Sequence, residues 1–159
     1  MPEEECHPCL SQAQNIKNER RLFTMAKYGT QEWCDQYKEE INKSAAYEEA
    51  AKTWEGDFYF ITEPGGPVKE TTYMYVDLYH GKCRACEIVT DTSKHKPAFT
   101  LSAPYAVWKK IATKQLDSTQ ALITRQSKLT GDMAKIMRYT KAANELTNCT
   151  MRLQTEWLD

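Results

Sequence analysis

Two Cys-x-x-Cys pairs, three histidines and three carboxylates beside apolar runs are the groups whose type and spacing could do chemistry in this 159-residue sequence. Cys6-His7-Pro8-Cys9 has the spacing of a thiol–disulfide redox pair. Such a pair needs a strand before it and a helix after it to activate the thiol, and here it sits in a polar terminal arm. Cys83 and Cys86 form the second pair, about 70 residues from the first, outside the usual spacing of a shared zinc site. They fall in a strand pattern, where an offset of three sends side chains to opposite faces, so buried or half-buried free thiols are expected rather than a metal site. His7 lies in the arm, and His80 and His95 lie at turns, where solvated rings are expected, with no Ser, Cys or Asp at triad spacing. Asp57, Asp77 and Asp132 are the nearest carboxylates, and Asp132 reads as a helix cap rather than a general base. Pro64-Gly65-Gly66-Pro67 has neither the spacing nor the helix of a phosphate loop. The sequence is expected to be non-catalytic, with no cofactor and no metal.

The surrounding elements are better specified. Trp33, Tyr37, Ile41 and Ala45 recur every four residues opposite Glu32, Lys38, Glu39, Asn42 and Lys43. This predicts an amphipathic helix, capped by Thr30 and running to about Lys52. The period then changes to that of strands over 56–61, 73–79, Cys83 to about Thr90, and 98–102, which reads as an antiparallel meander. One face collects Phe58, Phe60, Met74, Val76, Leu78, Phe99 and Leu101. The other collects Tyr59, Tyr73, Tyr75, Asp77 and Tyr79, a face suited to water or to a dimer contact. Pro104 opens a helix with Tyr105, Trp108, Ile111 and Ala112, and Asp117 caps a short one through Leu122. Residues 127–130 read as a fifth, short strand. A final helix from Asp132 carries Met133, Ile136, Met137, Thr140, Ala143 and Leu146. The fold class is α+β, with helices on one face of a sheet.

Composition bounds the function. Hydrophobic residues make up 41% and charged residues 27%, as in ordinary globular proteins. No apolar stretch approaches the ~20 residues of a membrane-spanning helix. The N-terminus lacks the charged and apolar regions of a secretory signal, so the cytoplasm is the expected compartment. The net charge of -1 argues against nucleic acid. Residues 103–143 nevertheless carry eight basic groups against Asp117 and Asp132, a net of +6, and residues 1–57 a net of -5. The basic run reads either as solvated helix faces or as a patch for transient docking on anionic membrane.

Several blocks together resemble the sterol carrier protein 2 (SCP2) sterol-transfer family. They are Trp54-Glu-Gly-Asp-Phe-Tyr-Phe, Tyr73 to Leu78, Ala98-Phe-Thr-Leu-Ser, the helix bearing Trp108, Leu116-Asp117, Ala121-Leu122, and Leu129-Thr-Gly-Asp-Met-Ala134. The resemblance covers roughly residues 31–150. It implies a five-stranded mixed sheet with helices covering one face and a hydrophobic tunnel between the layers. It also implies an apolar ligand: fatty acid, acyl-CoA or a sterol-like molecule. Gly131-Asp132 falls at that family's turn into the last helix, and Trp108 with Met133, Ile136 and Met137 falls where the family lines its tunnel. Residues 1–30 are then an N-terminal extension of helical character, 31–150 the lipid-binding domain, and 151–159 a tail. The Met1 start leads to the expectation that no enzyme domain is fused, unlike relatives appended to thiolase, dehydrogenase or sulfatase domains.

The lipid-binding residues expected are Phe58, Phe60, Met74, Val76, Leu78, Trp108, Ile111, Met133, Ile136 and Met137. The function expected is non-catalytic binding of an apolar lipid, with intermembrane transfer. The alternative is a structural or interaction module that dimerises through its tyrosine face or serves an enzyme as an accessory subunit.

Overall fold

The computed structural model describes residues 25–158, so Cys6, His7 and Cys9 and most of the expected helical arm over 10–27 lie outside the described residues, while the arm's end, Ala26–Lys27, is a strand rather than a helix. Thr30 caps helix α1 (Gln31–Lys43), its Oγ1 accepting from Trp33 N. The expected helix to Lys52 breaks at Ser44, which ends α1 and caps α2 (Ala45–Ala50) by accepting from Tyr47 N. A buried serine that can bond its own backbone offers the chain this alternative to a continuous helix.

Strands β2 (Glu55–Glu63), β3 (Thr72–Tyr79), β4 (Lys82–Val89), β5 (Phe99–Pro104) and β6 (Lys128–Thr130) form one sheet in the order β4-β3-β2-β5-β6. The expected meander holds for β2-β3-β4 only. β5 crosses back to lie parallel to β2 on its other side, which makes the sheet mixed. Register aligns the apolar face: Phe58 stands between Val76 and Phe99, and Phe60 between Met74 and Leu101.

Cys83 and Cys86 correct the expectation of opposed side chains. Val76 pairs with Cys86 and Leu78 with Cys83, so two steps on β3 span three on β4. That is a β-bulge, whose extra residue returns both thiols to the buried face. Burial pushes the Cys83 thiol up to about 12. Among the described residues no group of His, Cys, Asp and Glu is arranged to hold a metal.

The crossover from β4 to β5 also decides what covers the tyrosine face. Tyr59 Oη accepts from His95 N at 3.2 Å, and the Tyr75 ring stacks on the His95 ring at 3.6 Å. Tyr75 Oη donates to Asp57 (2.8 Å), whose other oxygen accepts from Ala98 N. His95 meets Glu87 at 2.5 Å, and His80 meets Glu55 at 2.8 Å, so each turn histidine expected to be solvated has a carboxylate partner. Tyr59 and Tyr75 are buried under residues 90–98, leaving Tyr79 as the exposed ring of that face.

Helices α3 (Tyr105–Ala112) and α4 (Ser118–Ile123) precede β6. The expected last helix is two: α5 (Met133–Arg138), capped by Asp132, and α6 (Thr140–Arg152). Tyr139 interrupts them, its ring edge-on to Trp54 at 4.9 Å and its hydroxyl 3.0 Å from Thr53. Gly131 has φ +132, and a Cβ there would come within 2.6 Å of the Phe99 ring, so the turn into α5 requires glycine. The described parts of the segments assigned as extension and tail, 25–30 and 151–158, pair with each other and bond to the domain through Trp33 and Tyr105. β1 (Ala26–Lys27) pairs in parallel with β7 (Thr155–Glu156), and the Tyr28 and Trp157 rings stack at 5.3 Å. No helix among the described residues is long and apolar enough to cross a membrane.

Candidate functional site: an apolar cavity between sheet and helices

The alternation of β2, β3, β5 and β6 presents Phe58, Phe60, Met74, Leu101 and Leu129 as the floor of a cavity. The helices supply its walls: Trp33 and Tyr37 from α1, Trp108, Ile111 and Ala112 from α3, Ser118, Thr119 and Leu122 from α4, and Ile136 from α5. Ala143, Leu146, Thr147 and Thr150 of α6 are spaced i, i+3, i+4 and i+7, one helix face, and Tyr28 completes the lining. The cavity measures about 130 Å³ and is partly open to solvent.

The polar atoms of this lining are largely engaged with the protein. Trp108 Nε1 donates to Ile61 O at 2.8 Å, and Trp33 Nε1 to Thr155 Oγ1 at 3.0 Å. Tyr37 Oη donates to Leu146 O, and Tyr28 Oη lies 3.0 Å from Thr62 Oγ1. Thr147 and Thr150 turn their hydroxyls onto helix carbonyls, Thr147 to Ala143 O and Thr150 to Thr147 O and Ala112 O. What remains facing the space is mostly ring, methyl and methylene. Burial pushes the Tyr28 and Tyr37 phenols well above the ordinary tyrosine value, so both are neutral at any physiological pH. Ser118 differs: its Oγ is buried with no hydrogen-bond partner.

Of the ten residues expected from sequence, Phe58, Phe60, Met74, Trp108, Ile111 and Ile136 line the cavity. Val76 and Leu78 are on the same sheet face but belong to the packed core, 0% and 1% exposed, toward β4 where α1 packs. Met133 and Met137 are 42% and 38% exposed and do not line it. They sit one turn apart on the outer stripe of α5, a helix too short to present more than Ile136 inward.

The residues that sequence reasoning missed come chiefly from α1, α4 and α6. Trp33 and Tyr37 carried a visible stripe, but nothing local says whether a stripe meets a core or a space. The Ala143–Thr150 face was hidden because two of its four members are threonines. Their hydroxyls bond back to the helix and expose only methyls.

Comparison with known proteins agrees with this architecture. Residues 34–144 match the model of the SCP-2 sterol transfer family. The chain belongs to that family. A crystal structure of sterol carrier protein 2 superposes with a TM-score of 0.72 at 29% identity, covering 80% of this chain and 99% of the other. A conserved hypothetical protein from Thermus thermophilus, suggested to be a sterol carrier protein, gives 0.74 at 26% identity over 84% of this chain and 94% of the other. The apo form of sterol carrier protein 2 from Yarrowia lipolytica shares the fold at 15% identity, with a TM-score of 0.50 over 76% and 88% of the two chains. No curated protein matches this sequence significantly. The five-stranded mixed sheet with its helical layer is the SCP-2 fold.

Proposed function

We propose that this SCP-2 family member binds an apolar lipid, a fatty acid, acyl-CoA or sterol-like molecule, in the cavity and carries it between membranes without chemical change. The observation that carries the reading is the lining, whose rings and methylenes face the space while most of its polar heads are tied to the protein. Each ligand CH₂ moved from water into such a space contributes about 0.8 kcal/mol, so chain length drives affinity. At about 130 Å³ the cavity is close to the ~150 Å³ that accepts a benzene ring. It is smaller than the ~300–1,000 Å³ of drug-sized sites. A whole lipid therefore requires a wall to move or part of the ligand to lie outside. The two six-residue walls, α4 with Ala121 as its buried residue and α5 with none, are the ones least anchored by burial.

Docking on anionic membrane is the finer part of the proposal. Ile123 (57% exposed), Met133 and Met137 lie in the same stretch of sequence as the exposed cations Arg125, Lys128, Arg138 and Lys141. Exposed apolar groups among cations are the chemistry that holds a protein at a charged interface. Organic extraction of the purified protein followed by lipid mass spectrometry, with fluorescent fatty-acid uptake in parallel, tests the binding. Recovered lipid and saturable uptake are expected. A lipid-free protein that takes up no probe would overturn the reading.

A further inference from the structure

We propose that Tyr28 is the end stop of the cavity, a fixed partition that limits the length of acyl chain the site takes. The inference rests on the cavity being a lipid site. The inner sheet face runs on past the floor of the cavity: Phe60 pairs with Met74, and the next inward pair along the same two strands is Thr62 with Thr72. Phe60 and Met74 line the cavity, whereas Thr62 and Thr72 line a second space, a groove of about 320 Å³. Residues two apart on a strand share a face at a spacing of about 6.4–6.8 Å, so the two spaces are successive stretches of one trough. Among the described residues Tyr28 alone lines both.

The ring is held across the trough from several sides. Tyr28 Oη lies 3.0 Å from Thr62 Oγ1 on the floor. The ring stacks on Trp157 at 5.3 Å, meets Trp33 edge-on at 5.3 Å and lies 5.7 Å from Tyr105. Its backbone is fixed as well, Tyr28 N donating to Glu156 O at 3.1 Å. The Tyr105 hydroxyl in turn donates to Leu158 O at 3.0 Å and accepts from Leu158 N at 2.8 Å, which pins the segment that carries Trp157. Moving the ring would break these contacts together, whereas the short α4 and α5 are held by little burial. An acyl chain that runs over Phe60 and Met74 therefore ends against Tyr28, and methylenes beyond that length stay in water. The trough also turns polar past the ring, where Lys27, Lys69 and Glu70 join the two threonines in its lining.

The test is displacement of a fluorescent apolar probe, N-phenyl-1-naphthylamine, by n-alkanoates graded from hexanoate to palmitate, on the wild type and on Tyr28→Ala. In the wild type each added CH₂ should raise affinity about three- to four-fold until the chain meets the stop, after which the series levels off. Tyr28→Ala should carry the rise on by about two carbons or more, so that palmitate binds at least about three-fold more tightly to the variant. Tyr28→Leu keeps an apolar side chain at the clasp and gives up the ring, and it should move the levelling point in the same direction if circular dichroism shows the alanine variant unfolded. Adding Thr72→Phe to the Tyr28 variant refills the trough beyond the partition and should return the levelling point to its wild-type length. A wild-type series that rises without levelling, or one that levels at the same length in a folded Tyr28 variant, would show that Tyr28 is not the stop, although the lipid site stands. If no alkanoate displaces the probe from the wild type, the lipid-site reading fails and this inference with it.

Discussion

The Trp108 indole N–H donates to the main-chain oxygen of Ile61 at 2.8 Å, tying helix α3 to strand β2 at the edge of the cavity. The same ring lies 5.6 Å from Phe60, so one side chain both fixes the helix and forms part of the wall. Trp108→Phe keeps most of the wall but leaves the Ile61 carbonyl without this donor. It should cost about 1–3 kcal/mol in chemical denaturation. Trp108→Ala should stay below the ~3–5 kcal/mol of a fully packed tryptophan, because this ring is half-buried.

Tryptophan emission then reports on the site. Trp33 lines the cavity as well as Trp108, whereas Trp54 packs in the core against Phe58 and Phe99. Titration with a long-chain lipid should shift emission in the wild type. Trp108→Phe should remove part of the shift, and adding Trp33→Phe should remove most of the rest. A full response in the double variant would place the ligand elsewhere.

Local pattern revealed the inner sheet face and the caps at Thr30, Asp117 and Asp132, because alternation and capping are short-range properties. Three features lay beyond it. The parallel pairing of β5 with β2 depends on a crossover that Tyr59 and Asp57 hold through long-range hydrogen bonds. The bulge that brings Cys83 and Cys86 to one face is a single extra residue in the β3–β4 ladder. The break at Tyr139, whose ring packs on Trp54, ends α5 at Arg138, and Met133 and Met137 lie on the outer stripe of that short helix. In the site itself, six residues followed from strand and helix periodicity, while the α6 threonines required side-chain geometry.

Charge reversal tests membrane docking, and the structure determines which cations to change. Lys135 Nζ donates to Glu55 O and sits 4.9 Å over the Trp54 ring, so reversing it would disturb the fold. Arg138→Glu with Lys141→Glu avoids that contact. The double variant should slow lipid delivery to anionic vesicles, most clearly at low salt, and leave affinity for a soluble fatty acid unchanged. Equal transfer rates at low and physiological salt would reject docking through this face.

The buried phenols predict an alkaline limit to stability. Tyr28, Tyr37 and Tyr47 all have folded-state pKa values raised by burial above the unfolded value near 10. Their protonated forms are favoured in the native state, so this contribution is fully present below about pH 10. It is lost as pH rises from there toward the folded values, because the unfolded chain releases these protons first. Ultraviolet titration should show phenols that ionise only together with the loss of native circular dichroism. Ionisation of every tyrosine near pH 10 in a still-folded protein would contradict their burial.

The proposed ligand is an apolar chain held in the space between sheet and helices. Ala143 lines that space from α6, and Ala143→Phe fills it from within. The decisive measurement is equilibrium binding of a fluorescent fatty-acid analogue to the wild type and to Ala143→Phe, with circular dichroism confirming that the variant remains folded. Saturable binding by the wild type is expected, with at least a roughly ten-fold loss in the variant, equivalent to about 1.4 kcal/mol. Unchanged affinity in a folded, filled variant would contradict that placement.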